Sequence, residues 1–219
     1  MTDVLGYEHF AATGEDFGAM VIRQLALNHP ELLCGVHLTY IGYAGSLPQQ
    51  SNLSEKEQKY LQTTQQWAMQ EGAYAMIQST KPQTPAYGLN DSPVGLASWL
   101  VEKFRAWSDT NGDVETCFSK DDLLNNIMIY WVTETINSSM RLYYEIGHTE
   151  TGLKPGQRID VPTGFASFPK DINPPPREWV ERFFNVQRWT EMPRGGHFAA
   201  FEEPELYADD VRAFFRQFR

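Results

Sequence analysis

The sequence predicts an α/β fold, a parallel sheet interrupted by a large helical insertion, on three observations. Near the start, a strand-like run, a glycine-bounded turn, an apolar helix and a second strand-like run follow one another. From about residue 45 to residue 147 the pattern turns helical, with no convincing strand. Two further strand-like runs, each with flanking helices, complete the pattern. Strand–helix–strand order favours parallel pairing, because a crossover helix joins neighbouring strands that run the same way. A chain of 219 residues suits one core of ordinary size. We expect residues 1–45 and 148–219 to form that core, and residues 46–147 a helical insertion placed like a lid.

The elements follow in order. Tyr7 to Ala12 has the composition of a short buried strand, and Thr13 to Gly18 that of a tight turn before an apolar helix from Ala19 to about Asn28. Leu32 to Tyr40 is apolar and rich in β-favouring residues, which predicts a second core strand. Ser54-x-x-Glu57 is a capping box, and the helix it opens is expected to run to about Gln78 with one glycine inside it. Ser92 and Pro93 supply an N-cap and a first-turn proline for a helix from Val94 to Trp107. Ser119 with Asp122 starts another, roughly Lys120 to Ile146, with a break expected near Asn137. Arg158 to Ala166 and Arg188 to Met192 read as core strands, and helices are expected at about Arg177 to Phe184 and Pro204 to Phe218.

Composition narrows the function classes. Eighteen Lys and Arg against 28 Asp and Glu give a net charge of −10, which disfavours nucleic acid or an anionic membrane surface as partner. Hydrophobic residues at 42% and aromatics at 13% suffice for a folded core. Cys34 and Cys117 are too few for a disulfide scaffold and lack metal-ligand spacing, so a reducing, cytoplasmic compartment is expected. No apolar run approaches the ~18 residues of a membrane span, and no basic, apolar and small-residue signal series follows Met1.

Three segments carry candidate chemistry. Gly14-Glu15-Asp16-Phe17-Gly18 has the form small–x–nucleophile–x–small, in which a sharp strand-to-helix elbow presents its central side chain and small residues let the chain pass closely. The usual centre is Ser; here it is Asp, and an Asp beside a glycine also suits a plain helix cap. Arg194-Gly195-Gly196-His197-Phe198, after a predicted strand, places an imidazole on a glycine-permitted loop, or a loop His with ordinary hydrogen bonds. Phe168-Pro169-Lys170-Asp171 follows another predicted strand, where the C-terminal ends of parallel strands meet along one edge; Asp171 there either orients a His or is a solvated loop acid. The order Asp16, Asp171, His197 is the nucleophile–acid–base order of α/β-hydrolases. Asp109 to Asp113 begins like a calcium loop, but Val114 and Lys120 occupy its Gly and Glu places, so it is taken as a turn. Trp99, Phe104, Trp107 and Trp131 fall within predicted helices and are taken as core of the insertion.

With these residues in view, the chain resembles the microsomal-type epoxide hydrolases of the α/β-hydrolase superfamily. The resemblance is carried by GEDFGA at Gly14 to Ala19, IQSTKPQTPAYGLNDSPVGLASWLVEKF from Ile77 to Phe104, PTGFASFPKDI from Pro162 to Ile172 and RGGHFAAFEEPEL from Arg194 to Leu206. It implies Asp16 as nucleophile, His197 as general base, and Asp171 as its acidic partner, where many relatives have Glu. It also implies two tyrosines that serve the departing epoxide oxygen: Tyr74 in EGAYAMIQ and Tyr143 in RLYYE, with Tyr144 the substitute for the latter. It implies a lipophilic epoxide as substrate, a vicinal diol as product, and neither metal nor cofactor. Two other readings stand beside it: a haloalkane dehalogenase, which shares the Asp–His–acid chemistry but uses halide donors, and a binding subunit without catalysis. The paired tyrosines, and a Phe after Asp16 in place of an indole, favour the epoxide.

The sequence departs from the family before Tyr7. The strands and the HGxP loop that precede the elbow in such enzymes, and that furnish part of the oxyanion hole, have no counterpart; His29-Pro30 lacks the glycine and follows the elbow. The chain is therefore expected to correspond to the second half of such an enzyme, with the Phe17 N–H as its oxyanion donor and little activity by itself. It is also expected to pair with a missing N-terminal half, to dimerise across the exposed sheet edge, or to aggregate.

Overall fold

Four strands form one parallel sheet in the order β1 (Phe10–Gly14), β2 (Leu33–Leu38), β3 (Ile159–Ser167), β4 (Phe184–Glu191), each beside its successor in the chain. The structure is a computed structural model, in which residues 1–42, 53–150, 152–154 and 156–218 are described. The helices are α1 (Thr2–Leu5), α2 (Asp16–Asn28), α3 (Glu55–Glu71), α4 (Ala73–Thr80), α5 (Gln83–Asp91), α6 (Pro93–Trp107), α7 (Lys120–Thr133), α8 (Ile136–Gly147), α9 (Arg177–Glu181), α10 (Ala199–Glu202) and α11 (Pro204–Phe215). The chain divides into two compact units, residues 1–61 with 151–219, and residues 62–150. The boundary expected between residues 45 and 46 lies outside the described residues.

In the first unit, β2 is buried almost throughout, as expected for a strand inside a parallel sheet. Val36, Leu38, Phe165, Val180 and Phe184 form its core with Ile22 of α2. Each such side chain contributes about 1.5–3 kcal/mol when fully buried. β1 alternates between half-buried and exposed, and among the described residues no strand pairs with its outer side. The start of α3 belongs to this unit. The expected capping box is present, with Ser54 N–H donating to Glu57 Oε2 (2.8 Å) and Glu57 N–H to Ser54 Oγ (3.2 Å). The same Glu57 carboxylate receives the Arg182 guanidinium, Nη2 to Oε2 at 2.7 Å.

A buried polar cluster ties α11 to the sheet. His37 of β2 donates from Nε2 to Asp210 Oδ2 (2.9 Å), and Arg188 and Thr190 of β4 donate to Asp210 Oδ1 (2.6–2.8 Å). Burial raises the Asp210 carboxyl, but the donors from His37, Arg188 and Thr190 outweigh it and hold the group down at about 2.

The second unit is helical. Leu96, Ile127, Ile136, Met140 and Ala86 make its core, from α5 to α8. The helix expected from Ser54 to Gln78 is two helices, because Gly72 lets the chain tighten: a Cβ there would lie 2.3 Å from Ala68 O. Helix α5 has no counterpart among the expected elements, since Pro82 and Pro85 disguise it; both stand at its first turn, where a missing N–H costs no helical hydrogen bond. The break placed near Asn137 falls three residues earlier, at Glu134, which ends α7 in the left-handed region (φ 54°). Ser92 caps α6 as expected, accepting from Gly95 N–H at 3.1 Å. β4 starts at Phe184 rather than Arg188, and the helix before it stops at Glu181. Asp109 to Cys117 forms a turn with a short 3-10 segment, Val114–Thr116, and Lys120 to Asp122 open α7.

Candidate active site

Parallel strands put their C-terminal ends on one edge, and the three site residues of the first unit follow the ends of β1, β3 and β4. At the end of β1 the chain turns at once into α2. Asp16 sits at that elbow with φ 47°, a backbone conformation that costs most side chains energy, so it is more than a helix cap; Glu15 holds the cap position. Gly14 is needed for the turn: a Cβ on it would come within 2.8 Å of Ile22 Cδ1 and 2.9 Å of the Gly18 carbonyl carbon. Gly18 itself faces open space, so the closeness is imposed at Gly14 alone. Phe17, the expected oxyanion donor, is the second residue of α2.

His197 lies between two carboxylates. Its Nδ1–H donates to Asp171 Oδ1 at 2.7 Å and its Nε2–H to Asp16 Oδ2 at 2.9 Å. The His197 and Asp171 side chains are 4% and 3% exposed, whereas Asp16 is 40% exposed. Of the two carboxylates on the ring, Asp16 is thus the accessible one and Asp171 is sealed in. Asp171 is fixed in turn by Ile172 N–H, which donates to its Oδ1 (2.6 Å). Burial pulls the imidazole's affinity for a proton down, but hydrogen bonds and charge from Asp16 and Asp171 more than reverse this and push it up to about 10. With both ring nitrogens facing carboxylates, the setting suits an imidazolium.

The two expected tyrosines are in the second unit. Tyr74 of α4 and Tyr143 of α8 meet edge to face, ring centroids 5.8 Å apart. Tyr74 also contacts Trp107 (5.1 Å), and the Lys103 ammonium lies 4.7 Å from its ring centroid. Tyr144, the substitute position, stacks on His148 instead.

Three residues of the first-unit site carried no sequence signal of their own. The Tyr40 ring stands edge-on to His197 at 5.7 Å. Glu15 has one buried carboxylate oxygen, Oε2, without a hydrogen-bond partner. Burial raises this carboxyl; His197 lowers it, while Asp171, Asp16 and Glu202 raise it further, to about 7. Glu202 of α10 accepts backbone hydrogen bonds from Gly196 and Phe198.

A carboxylate at a strained strand–helix elbow, joined through an imidazole to a second carboxylate at the same sheet edge, places the chain in the α/β-hydrolase class. Its relatives narrow the class: they are epoxide hydrolases, about half of whose length the chain matches. It is 41% identical over 217 residues to a protein of Stigmatella aurantiaca (strain DW4/3-1) provisionally named an epoxide hydrolase, covering 98% of this chain and 48% of that one. It is 39% identical to epoxide hydrolase 1 of Sus scrofa, covering 96% and 51%. Among solved structures, the Aspergillus niger epoxide hydrolase superposes with a TM-score of 0.80 at 30% identity, covering 99% of this chain and 54% of that one. The juvenile hormone epoxide hydrolase of the silkworm Bombyx mori matches equally well, TM-score 0.80 at 29% identity, covering 100% and 52%. No family model matches the chain. The chain spans about half the length of the curated relatives it matches.

Proposed function

We propose that this protein opens lipophilic epoxides to vicinal diols through an ester on Asp16. The observation that carries the reading is the His197 imidazole held between the exposed carboxylate of Asp16 and the sealed carboxylate of Asp171. Kinship with epoxide hydrolases supports the choice of substrate class. A carboxylate suits the task because its ester with a ring carbon keeps a carbonyl that water can attack, whereas a serine would give an ether resistant to water.

In the first step an Asp16 oxygen bonds to an epoxide carbon and that carbon's ring C–O bond breaks. The oxygen leaves as an alkoxide and takes a proton from a phenol, the role that the family resemblance implies for Tyr74 and Tyr143. Esterification cancels the Asp16 charge, one of the two that hold the imidazolium, so His197 gives its Nε2 proton to solvent, from which the phenolate left by the first step recovers its own, and becomes a neutral base. In the second step His197 removes a proton from water, the hydroxide bonds to the Asp16 ester carbon, and the Phe17 N–H receives the developing oxyanion. Collapse breaks the bond from that carbon to the alkyl oxygen, which takes the proton of the added hydroxyl, so the diol leaves and the carboxylate is restored; Asp171 keeps the ring oriented throughout.

The wider setting is part of the same proposal. The open side of β1 is covered by a further strand, from a preceding half of the polypeptide or from a second copy. The compartment is reducing and cytoplasmic, in keeping with Cys34 and Cys117 standing outside any disulfide. Among the described residues, no helix is long and apolar enough to cross a membrane.

The test is to treat the His197→Gln variant with a reactive aryl epoxide and weigh the intact protein. An adduct of one epoxide mass is expected, and peptide mapping should locate it on Asp16. Unmodified protein once epoxide has been consumed, or release of chloride from a chloroalkane in place of diol formation by the unsubstituted protein, would overturn the reading.

A further inference from the structure

We propose that Glu202 is a positioning residue for His197, its carboxylate clasping the two peptide N–H groups on either side of that residue. The inference rests on the reading of His197 as the base of ester hydrolysis. Glu202 Oε2 accepts from Gly196 N–H and Oε1 from Phe198 N–H, both at 3.0 Å. The backbone closes the same ring, since Glu202 N–H donates to Phe198 O at 2.8 Å. The residue carrying the imidazole is thereby held one position before it and one after it by a single charged acceptor, and such charge-assisted bonds are about twice as strong as neutral ones.

The rest of the loop shows why a clasp is needed. Gly195 adopts φ +102°, a region open to glycine, and a Cβ there would strike Phe168 Cδ1 at 2.7 Å. The neighbouring loop meets this segment on its other side, where Lys170 pairs with Gly196 in a parallel bridge and its N–H donates to Gly195 O (3.0 Å). His197 must meet Asp171 at 2.7 Å and Asp16 at 2.9 Å simultaneously, so a small shift of its Cα lengthens one bond or the other. Glu203, next in sequence, pairs instead with the exposed Arg194 guanidinium, which makes it the useful comparison.

A clasp acting through His197 has a distinctive kinetic signature. The base is required for hydrolysis of the ester and not for its formation, so Glu202→Ala should slow hydrolysis about 100-fold, the cost typical of an ångström of misplacement. Alkylation should stay within about threefold of the unsubstituted rate, and ester should accumulate in single-turnover measurements. Glu202→Gln, with one carbonyl oxygen left for two donors, should fall between. General loosening of the fold would slow both steps alike, and that result, or unchanged hydrolysis, overturns the proposal.

A second measurement needs no turnover. The proton between His197 Nδ1 and Asp171 should exchange with water at least about tenfold faster in Glu202→Ala than in the unsubstituted protein or in Glu203→Ala, read by proton NMR. Should Glu202→Ala fail to fold, Glu202→Gln carries both readings. Equal exchange in all variants would sink the clasp even if ester forms on Asp16. Failure of the unsubstituted protein and of His197→Gln to form any ester would sink the epoxide reading while the exchange measurement still decides the clasp.

Discussion

Glu15 and Asp16 are adjacent carboxyl groups with opposite tasks. In the proposed reaction the Asp16 carboxylate attacks, and its Oδ2 accepts from His197 Nε2–H. Glu15 faces His197, Asp171, Asp16 and Glu202 around it, with Tyr207 also within electrostatic reach; with its Oε2 buried, it holds a proton until about pH 7. The folded state therefore binds more protons than the unfolded chain between the ordinary value of 4.5 and about 7. Stability from this group is fully present below pH 4.5 and is lost as pH rises through 7. Glu15→Gln, an uncharged mimic of the protonated acid, should flatten the fall of the urea midpoint between pH 5 and pH 7.5 and be the more stable form at the upper end. An identical pH dependence in both proteins would contradict this. His197 titrates higher, toward about 10, and contributes the same sign of slope at more alkaline pH, where both proteins share it.

At the scale of elements, the cluster of His37, Arg188 and Thr190 on Asp210 joins two strands to α11 through one carboxylate. Asp210→Ala should destabilise the protein by about 3 kcal/mol, because it leaves a wholly buried imidazole and a guanidinium without their acceptor. Denaturant unfolding monitored by tryptophan fluorescence would measure it, and a loss under about 1 kcal/mol would show that water replaces the carboxylate. The sequence displays no sign of this cluster, since His37 and Asp210 are 173 positions apart and each looks ordinary in its own helix or strand. The elbow was legible for the opposite reason: Gly14 and Asp16 state their backbone requirements within a few residues. The capping box at Ser54 and the helix start at Ser119 were legible likewise, being local bonds between side chain and backbone. Helix α5 was not, as its prolines mimic a loop until their place in the first turn is known. Asp171 and His197 could be ranked together only through chain order and family resemblance, and Glu15 not at all, because its neighbours arrive from other strand ends; Glu202, whose partners Gly196 and Phe198 lie six and four residues before it, belongs to no motif that would have singled it out.

Across the whole molecule, the sheet order repeats the chain order, so β1 pairs with β2 across one helix and β3 with β4 across another short one. The central pairing is different: β2 and β3 are neighbours, Val36 beside Thr163 and Leu38 beside Phe165, although the helical unit lies between them in sequence. That arrangement has a consequence in time. Closing a loop of about 120 residues costs roughly 2 kcal/mol more chain entropy than closing the β1–β2 connection. The helices of the insertion, by contrast, are built from contacts near in sequence, the kind that form fastest. Pulse-labelling hydrogen exchange during refolding should find amides of α4 to α8 protected first, then the β1–β2 and β3–β4 pairs, and last the amides shared by β2 and β3. Simultaneous protection of all three sets would refute that order. With the expected order, the elbow holding Asp16 and the loops holding Asp171 and His197 begin on opposite sides of the last seam to close, so the proposed triad is assembled only when folding ends.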